Sequence, residues 1–223
     1  MAEQIIIFGG GETALLAYEY FTHDSPYEVV AFSMDAEFIE SDSLMGLPVL
    51  PITDVVKRFP PTEYSGFVAA SSTKLNRVRK GLYDKVKSMS YELVSYVSSR
   101  AFVWPNVKMG DNCFIMEDNT LQPFTEIGNN VVMWSGNHLG HRSTVRDDCF
   151  ISSHCVISGF CDIGKSSFLG VNCTIENDVS IGEDNFIGAG ALIRKNTEKG
   201  AFYQTPQTEV AKISAYRLFK IKE

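Results

Sequence analysis

Residues 151–175, ISSHCVISGFCDIGKSSFLGVNCTI, place an aliphatic side chain at Ile151, Ile157, Ile163, Leu169 and Ile175, every sixth position. The same rung runs back through Val145, Leu139, Met133, Ile127, Leu121, Ile115, Met109 and Val103 to Val97. It runs forward through Ile181 and Ile187 to Ile193, with no break. A helix buries a face every 3.6 residues and a strand every 2, so a strict period of six fits neither. It fits a coil with flat sides, in which each hexapeptide is one short strand and a corner. Three hexapeptides then make a triangular turn of 18 residues, and each turn buries itself by stacking on the next. The period predicts a parallel β-helix.

The ladder also explains the cysteines. Cys113, Cys149, Cys155, Cys161 and Cys173 all stand at the fifth place of the hexapeptide, counting the aliphatic rung as the first. The same place holds Ala101, Val107, Thr125, Val131, Ser143, Ser167, Val179 and Ala191 elsewhere, so it selects a small side chain. Cysteine there is a small hydrophobe rather than a redox or metal group. An odd number of thiols and no secretion signal point to a reducing, cytoplasmic compartment.

Ahead of the ladder the pattern changes. Ile5-Ile6-Ile7-Phe8 reads as a buried strand ending in Gly9-Gly10-Gly11, followed by a helix over Glu12 to Phe21. Val29 to Phe32 reads as a second strand, ending in Ser33 and Asp35. Phe67 to Ala70 reads as a third, and the cationic stretch from Lys74 to Lys87 as a helix. Leu93 to Val97 reads as a fourth strand entering the ladder, and the prolines of Leu47-Pro48-Val49-Leu50-Pro51 hold that segment extended. Alternating strands and helices imply a parallel sheet covered on both faces, a small α/β Rossmann-like unit over residues 1–96. The β-helix then occupies 97–199, and 200–223 form a loop and a short helix within Glu209 to Phe219 as a C-terminal cap.

A net charge of −7 with no basic run argues against nucleic-acid partners. No run of eighteen apolar residues predicts a membrane span, and Met1 to Gly11 is too short and too glycine-interrupted for a signal peptide.

The candidate chemistry falls in two places. A strand, three glycines and a helix allow a phosphate or sugar to approach the backbone at a helix start. Gly9, Gly11 and Ala14 hold the positions of a G-x-G-x-x-G/A turn. Asp35, at the second strand end, suits a base or ribose contact or equally a solvated loop. Ser71, Ser72, Thr73, Lys74 and Arg77 follow the third strand on the same carboxyl edge; the two cations suit phosphate or solvent. On the ladder, His138, His141 and His154 fall on different columns of an 18-residue coil, so they form no metal cage within one chain, and no metal is expected. His23 lies in a loop. His141, at the third place of its hexapeptide, stacks beside Pro123 and Gly159 at an open corner, where an imidazole serves as a proton acceptor near neutral pH. A surface corner histidine is the plain alternative.

These residues resemble the hexapeptide-repeat acyltransferases. The likeness is to sialic acid O-acetyltransferases and to N-acetyltransferases of nucleotide-linked 4-amino sugars. It is carried by Ile5 to Gly11, Phe32-Ser33-Met34-Asp35, Asn137-His138-Leu139-Gly140-His141 and Ile187-Gly188-Ala189-Gly190-Ala191. The resemblance implies a left-handed coil, a homotrimer, and acetyl-CoA as co-substrate in the cleft between neighbouring β-helices. It implies His141 as general base, with direct transfer in a ternary complex. It assigns Gly170, Val171, Asn172, Gly188 and Ala189 to the acyl-CoA arm, and Gly9, Gly10, Gly11, Asp35, Ser71 and Lys74 to the nucleotide-linked sugar. One departure stands out. Some relatives carry an acidic residue directly after the histidine, and here that place is Arg142. The orienting group must then be a backbone carbonyl, Asp147 or Asp148. Trp134 reads either as a sugar-stacking ring or as an outward packing residue. The acceptor that the resemblance implies is a nucleotide-activated sugar, at an amine rather than a hydroxyl. The alternatives are a sugar O-acetyltransferase acting on a hydroxyl, a non-catalytic trimeric sugar-nucleotide-binding scaffold, and a metal-dependent hydratase with histidines converging between subunits.

Overall fold

The computed structural model describes residues 3–222. From Tyr96 to Tyr203 the chain winds through three flat faces built of two-residue parallel strands. Neighbouring coils pair 18 residues apart: Leu121 beside Leu139, Ile127 beside Val145, Met133 beside Ile151. The rungs from Ile115 to Ile187 form one continuous core with the fifth-place residues, including all five cysteines, which are free and buried. Burial pushes the thiols of Cys113 and Cys149 up to about 12, so they stay protonated and inert. A buried Ile or Leu rung contributes roughly 1.5–3 kcal/mol, but only where a coil stacks on both sides. Val97, at the open end, remains 37% exposed. At the far end the repeat shortens, and Ile187 pairs with Tyr203.

Every sixth residue from Asn112 to Gly190, the fourth place of the hexapeptide, has a left-handed backbone that turns the corner. Asn, Asp and Gly tolerate this region, which costs other residues roughly 1–2 kcal/mol. Most corners comply. Phe124, Arg142, His154, Phe160 and Ser166 do not, and the two phenylalanines are the bulkiest apolar exceptions.

The outward side chains give the faces three characters. The covered face presents Tyr96, Phe114, Val132, Phe150, Phe168 and Phe186. The bare face presents Phe102, Thr120, His138, Val156, Thr174 and Leu192. The charged face presents Lys108, Glu126, Thr144, Asp162 and Ser180.

The N-terminal region packs on the covered face. It comprises β1 (Glu3–Phe8), α1 (Glu12–His23), β2 (Tyr27–Met34), β3 (Ser43–Leu44), β4 (Leu47–Pro51), α2 (Val55–Arg58), β5 (Ser65–Val68) and α3 (Arg77–Ser88). The sheet order is β3-β4-β2-β1-β5, parallel except for the β3–β4 hairpin. α1 buries Ala14, Ala17 and Phe21 against Ile5, Ile7, Phe32 and Phe67, a cluster continuous with Tyr96, Phe114 and Val132 of the β-helix. α2 and α3 pack Val55 and Val86 on the opposite face, against Ile6, Phe8 and Val68.

Three expected elements differ. The helix after β5 begins at Arg77 rather than Lys74, because Lys74, Leu75 and Asn76 are all left-handed. Leu93 to Val97 is not one strand: Leu93 makes a single bridge to Gly66 before Tyr96–Val97 joins the first coil. The terminal helix, α4, is only Ala215–Leu218, with its surroundings exposed.

Candidate active site

Each edge of the prism has its own chemistry. On the edge between the bare and charged faces, the corner after His138–Leu139 carries Gly140, His141 and Arg142. The His141 backbone N–H donates to Gln122 Oε1 at 2.9 Å, and ring Nδ1 stands 3.4 Å from the same oxygen. On the next coil Gly159 gives the ring its room. A Cβ there would stand 2.8 Å from His141 Cε1 and 3.1 Å from Nε2. The Phe160 ring meets the imidazole edge-on at 5.0 Å. The Arg142 guanidinium lies 4.7 Å over the Phe124 ring. Phe124 and Phe160 are 54% and 49% exposed, so two aromatic side chains in a strained backbone region flank an exposed imidazole. Strain of this kind, about 1–3 kcal/mol per residue, concentrates at functional sites. An imidazole bonded through one ring nitrogen keeps the other free to accept a proton.

Asp147 and Asp148 do not orient this ring. They lie at the following corner, between the charged and covered faces. Asp147 pairs with Lys165 and accepts the Asn129 N–H; Asp148 accepts from Asn130. Six residues further along the chain is one edge further round the prism.

The predicted acyl-CoA residues stand on the third edge, between the covered and bare faces. Gly170 and Gly188 are stacked, and a Cβ on Gly170 would lie 2.6 Å from Ala189 N. A Cβ on Gly188 would lie 2.7 Å from Tyr203 O. Val171, Asn172 and Ala189 are exposed beside them. Above this strip the outward column runs Met116, Trp134, Ser152, Gly170, Gly188, so side chains dwindle and the surface opens. Trp134 packs among the α1 cluster, with its indole N–H buried and unpartnered.

The predicted sugar-nucleotide residues share the carboxyl edge of the parallel sheet, where strand order reverses between β1 and β5, the crevice in which such sheets bind ligands. The three glycines differ. A Cβ on Gly9 (φ +141°) would meet Ala69 O at 2.2 Å, and one on Gly10 would strike the Met34 side chain. Gly9 is required by internal packing against backbone, whereas the Met34 side chain beside Gly10 can give way. Gly11, at the head of α1, faces open space. Asp35 is held by Lys85 Nζ; Ser71 bonds Thr73 at 2.7 Å, and Lys74 is exposed. Within one chain the histidine and the glycine strip stay apart, on different edges of the prism.

The edge between the charged and covered faces is occupied by α3. Buried Arg79 donates to Asp148 O and Cys149 O at 2.9 and 3.0 Å. Asn76 donates to Ser166 O, and Arg77 pairs with Asp184. Asn112 exchanges hydrogen bonds with the Val68 backbone. Sequence reading missed Arg79, Asn76 and Gln122. For Gln122 the signal existed, since coil arithmetic sets Pro123, its neighbour, beside His141.

Residues 160–195 match the family described as Bacterial transferase hexapeptide (six repeats). Among solved structures, this hexapeptide chain is similar to a histidine-to-asparagine mutant of perosamine N-acetyltransferase from Caulobacter crescentus, solved with CoA and GDP-perosamine. Identity is 22%, 91% of this chain and 93% of that chain are covered, and the TM-score is 0.79. The acetyltransferase domain of PglB from Neisseria gonorrhoeae FA1090 is 20% identical over 90% of this chain and 95% of that chain, with TM-score 0.79. WeeI from Acinetobacter baumannii AYE is 18% identical over 90% and 95%, with TM-score 0.71. The chain shares their fold, a left-handed β-helix. Among the described residues no group of three or more His, Cys, Asp or Glu side chains is placed to hold a metal ion, and no helix is long and apolar enough to cross a membrane.

Proposed function

We propose that the chain is an acetyl-CoA-dependent N-acetyltransferase acting on a nucleotide-linked amino sugar, a cytoplasmic enzyme of bacterial surface-glycan synthesis that works as a homotrimer. The observation that carries the reading is the exposed His141 imidazole, bonded on one ring nitrogen only and set between strained aromatic corners. The solved enzyme with CoA and GDP-perosamine supports the substrate pair.

The bare face supports the assembly. Phe102, Val156 and Leu192 are 55%, 41% and 53% exposed there, apolar side chains interleaved with Thr120, His138 and Thr174. Three prisms turned bare face inward about a common axis form a closed ring. Each copy's histidine edge then meets its neighbour's glycine edge, uniting two groups that one chain keeps apart. The acyl arm lies along Gly170, Val171, Asn172, Gly188 and Ala189. The nucleotide lies at Gly9, Gly10, Gly11, Asp35, Ser71 and Lys74, with Gly11 at the open helix start. The sugar amine attacks the thioester carbonyl carbon while His141 Nε2 takes its proton. The C–S bond breaks, and the same proton passes to the departing sulfur, giving amide and free thiol.

The test is thiol release from acetyl-CoA over a panel of nucleotide-linked amino sugars, with sedimentation of the same protein. Turnover by a trimer is expected. Folded protein that neither binds CoA nor releases thiol with any acceptor would overturn the enzyme and leave a binding scaffold.

A further inference from the structure

We infer that Gln122 is the positioning residue of His141: its side-chain oxygen fixes the imidazole as the Nδ1–H tautomer and leaves the Nε2 lone pair facing outward. The role of that lone pair rests on the acyl-transfer reading above; the tautomer does not. The Gln122 amide could present oxygen or nitrogen to the ring, and the backbone decides. The His141 main-chain N–H is only a donor and points at this atom from 2.9 Å, so the atom is Oε1. The same oxygen faces Nδ1 at 3.4 Å, and an oxygen can bond there only to a protonated nitrogen. With one proton on a neutral ring, Nε2 is bare.

Packing holds the arrangement. Gln122 is itself anchored, its backbone N–H to Leu139 O and its carbonyl to the Thr125 hydroxyl. Gly159 lets the ring lie against the next coil, and Phe160 abuts its edge. The groups facing the imidazole carry little charge. The turn before contributes Gln122, Pro123 and Phe124, and the turn after contributes Ser158, Gly159 and Phe160, none of them titratable. Arg142, on the ring's own turn, is drawn over Phe124. Asp178, on the coil beyond, reaches Gly159 O through its backbone N–H. The one histidine ion pair among the described residues is His23 with Glu19. A neutral amide therefore stands where a carboxylate would otherwise orient the base.

Two measurements test this. Nitrogen NMR of the full-length protein, with His141→Asn to assign the ring signals, should show a bare Nε2 and a protonated Nδ1 at pH 8. Gln122→Met should scramble that pattern with the fold intact. A native protein with the proton on Nε2, or a Gln122→Met spectrum like the native one, would overturn the assignment whether or not any acetyl acceptor is found. In turnover, Gln122→Met should lower kcat about tenfold with KM for both substrates within about twofold. Gln122→Glu should restore the rate and move the acid limb of the pH–rate profile up by roughly one pH unit, since a carboxylate favours the imidazolium. An unshifted acid limb in a folded, active Gln122→Glu enzyme would sink the positioning role. Silence toward every acceptor, with the NMR pattern as expected, would count against the proposed reaction alone.

Discussion

Two edges of one prism put the same left-handed corner to opposite uses. Along the edge beneath α3 the corner residues are Asn112, Asn130, Asp148, Ser166 and Asp184, short polar side chains that, Ser166 apart, suit the backbone. They link to one another, Asn112 to Asn130 at 2.9 Å and Asn130 to Asp148 at 2.8 Å, and to the N-terminal region. Along the histidine edge the equivalent positions are Phe124, Arg142, Phe160 and Asp178. Two of these are aromatic, exposed and ill-suited to the conformation. Where the corner serves stability, its residues obey local preference. Where they violate it, a reactive side chain stands beside them.

Substitutions break this contrast from each side. The largest effect is expected at the base itself: His141→Ala should lower kcat by about 100-fold or more with thermal unfolding unchanged, read by thiol release and calorimetry. On the α3 edge, Arg79→Leu leaves the Asp148 carbonyl without a donor and the Cys149 carbonyl with the Val132 N–H alone. It should cost about 2–3 kcal/mol in urea denaturation. The burial that lowers the Arg79 guanidinium to about 10 does not discharge it at neutral pH, so an uncharged substitute loses an ionic donor. Gly159→Ala presses a Cβ on the imidazole and should reduce turnover about tenfold by displacing it. Phe160→Asn sharpens the comparison most directly. It should stabilise the fold by about 1 kcal/mol by relieving the corner, while turnover falls severalfold, a gain in one measurement against a loss in the other.

The smallest expected effect is a pH dependence of the join between α1 and the first coil. Hydrogen bonds from Ser99 and Tyr96 hold the Asp24 carboxyl down at about 2, against an ordinary value of 3.8. A depressed carboxylate contributes stability above its unfolded value and loses it as pH falls through the folded one. Unfolding followed from pH 5 to pH 2 should therefore show a loss between about 4 and 2 that Asp24→Asn removes.

The β-helix was legible in the sequence because its signal is one residue type at one period, repeated seventeen times. The cysteines followed from that count, as did the edge that holds His141. The parallel sheet was also readable from Ile5 to Phe8, Val29 to Phe32 and Phe67, though the strands extend beyond those runs. The start of α3 was not. Lys74 and Leu75 carry no local mark of left-handed backbone; only Asn76 suits it, and Asn76 reaches Ser166 O, a tertiary contact 90 positions away. Gln122 was missed for a related reason: the contact depends on how far an amide extends between coils. Asp147 and Asp148, candidate orienting groups along with a backbone carbonyl, lie close to His141 in sequence, but on a three-sided coil that is the wrong measure of distance.

The strict repeat makes the molecule count in threes. Removing a whole coil of 18 residues from the ladder would shorten it and leave every later residue above its former edge. Removing a single hexapeptide between His141 and Gly170 would instead rotate everything beyond it by one face, setting Gly170 and Gly188 on the edge beneath α3. Natural length variation in such a ladder should therefore come in whole turns wherever a neighbouring copy must find each edge in its place. A lone six-residue change would mark a chain whose partner arrangement has been rebuilt.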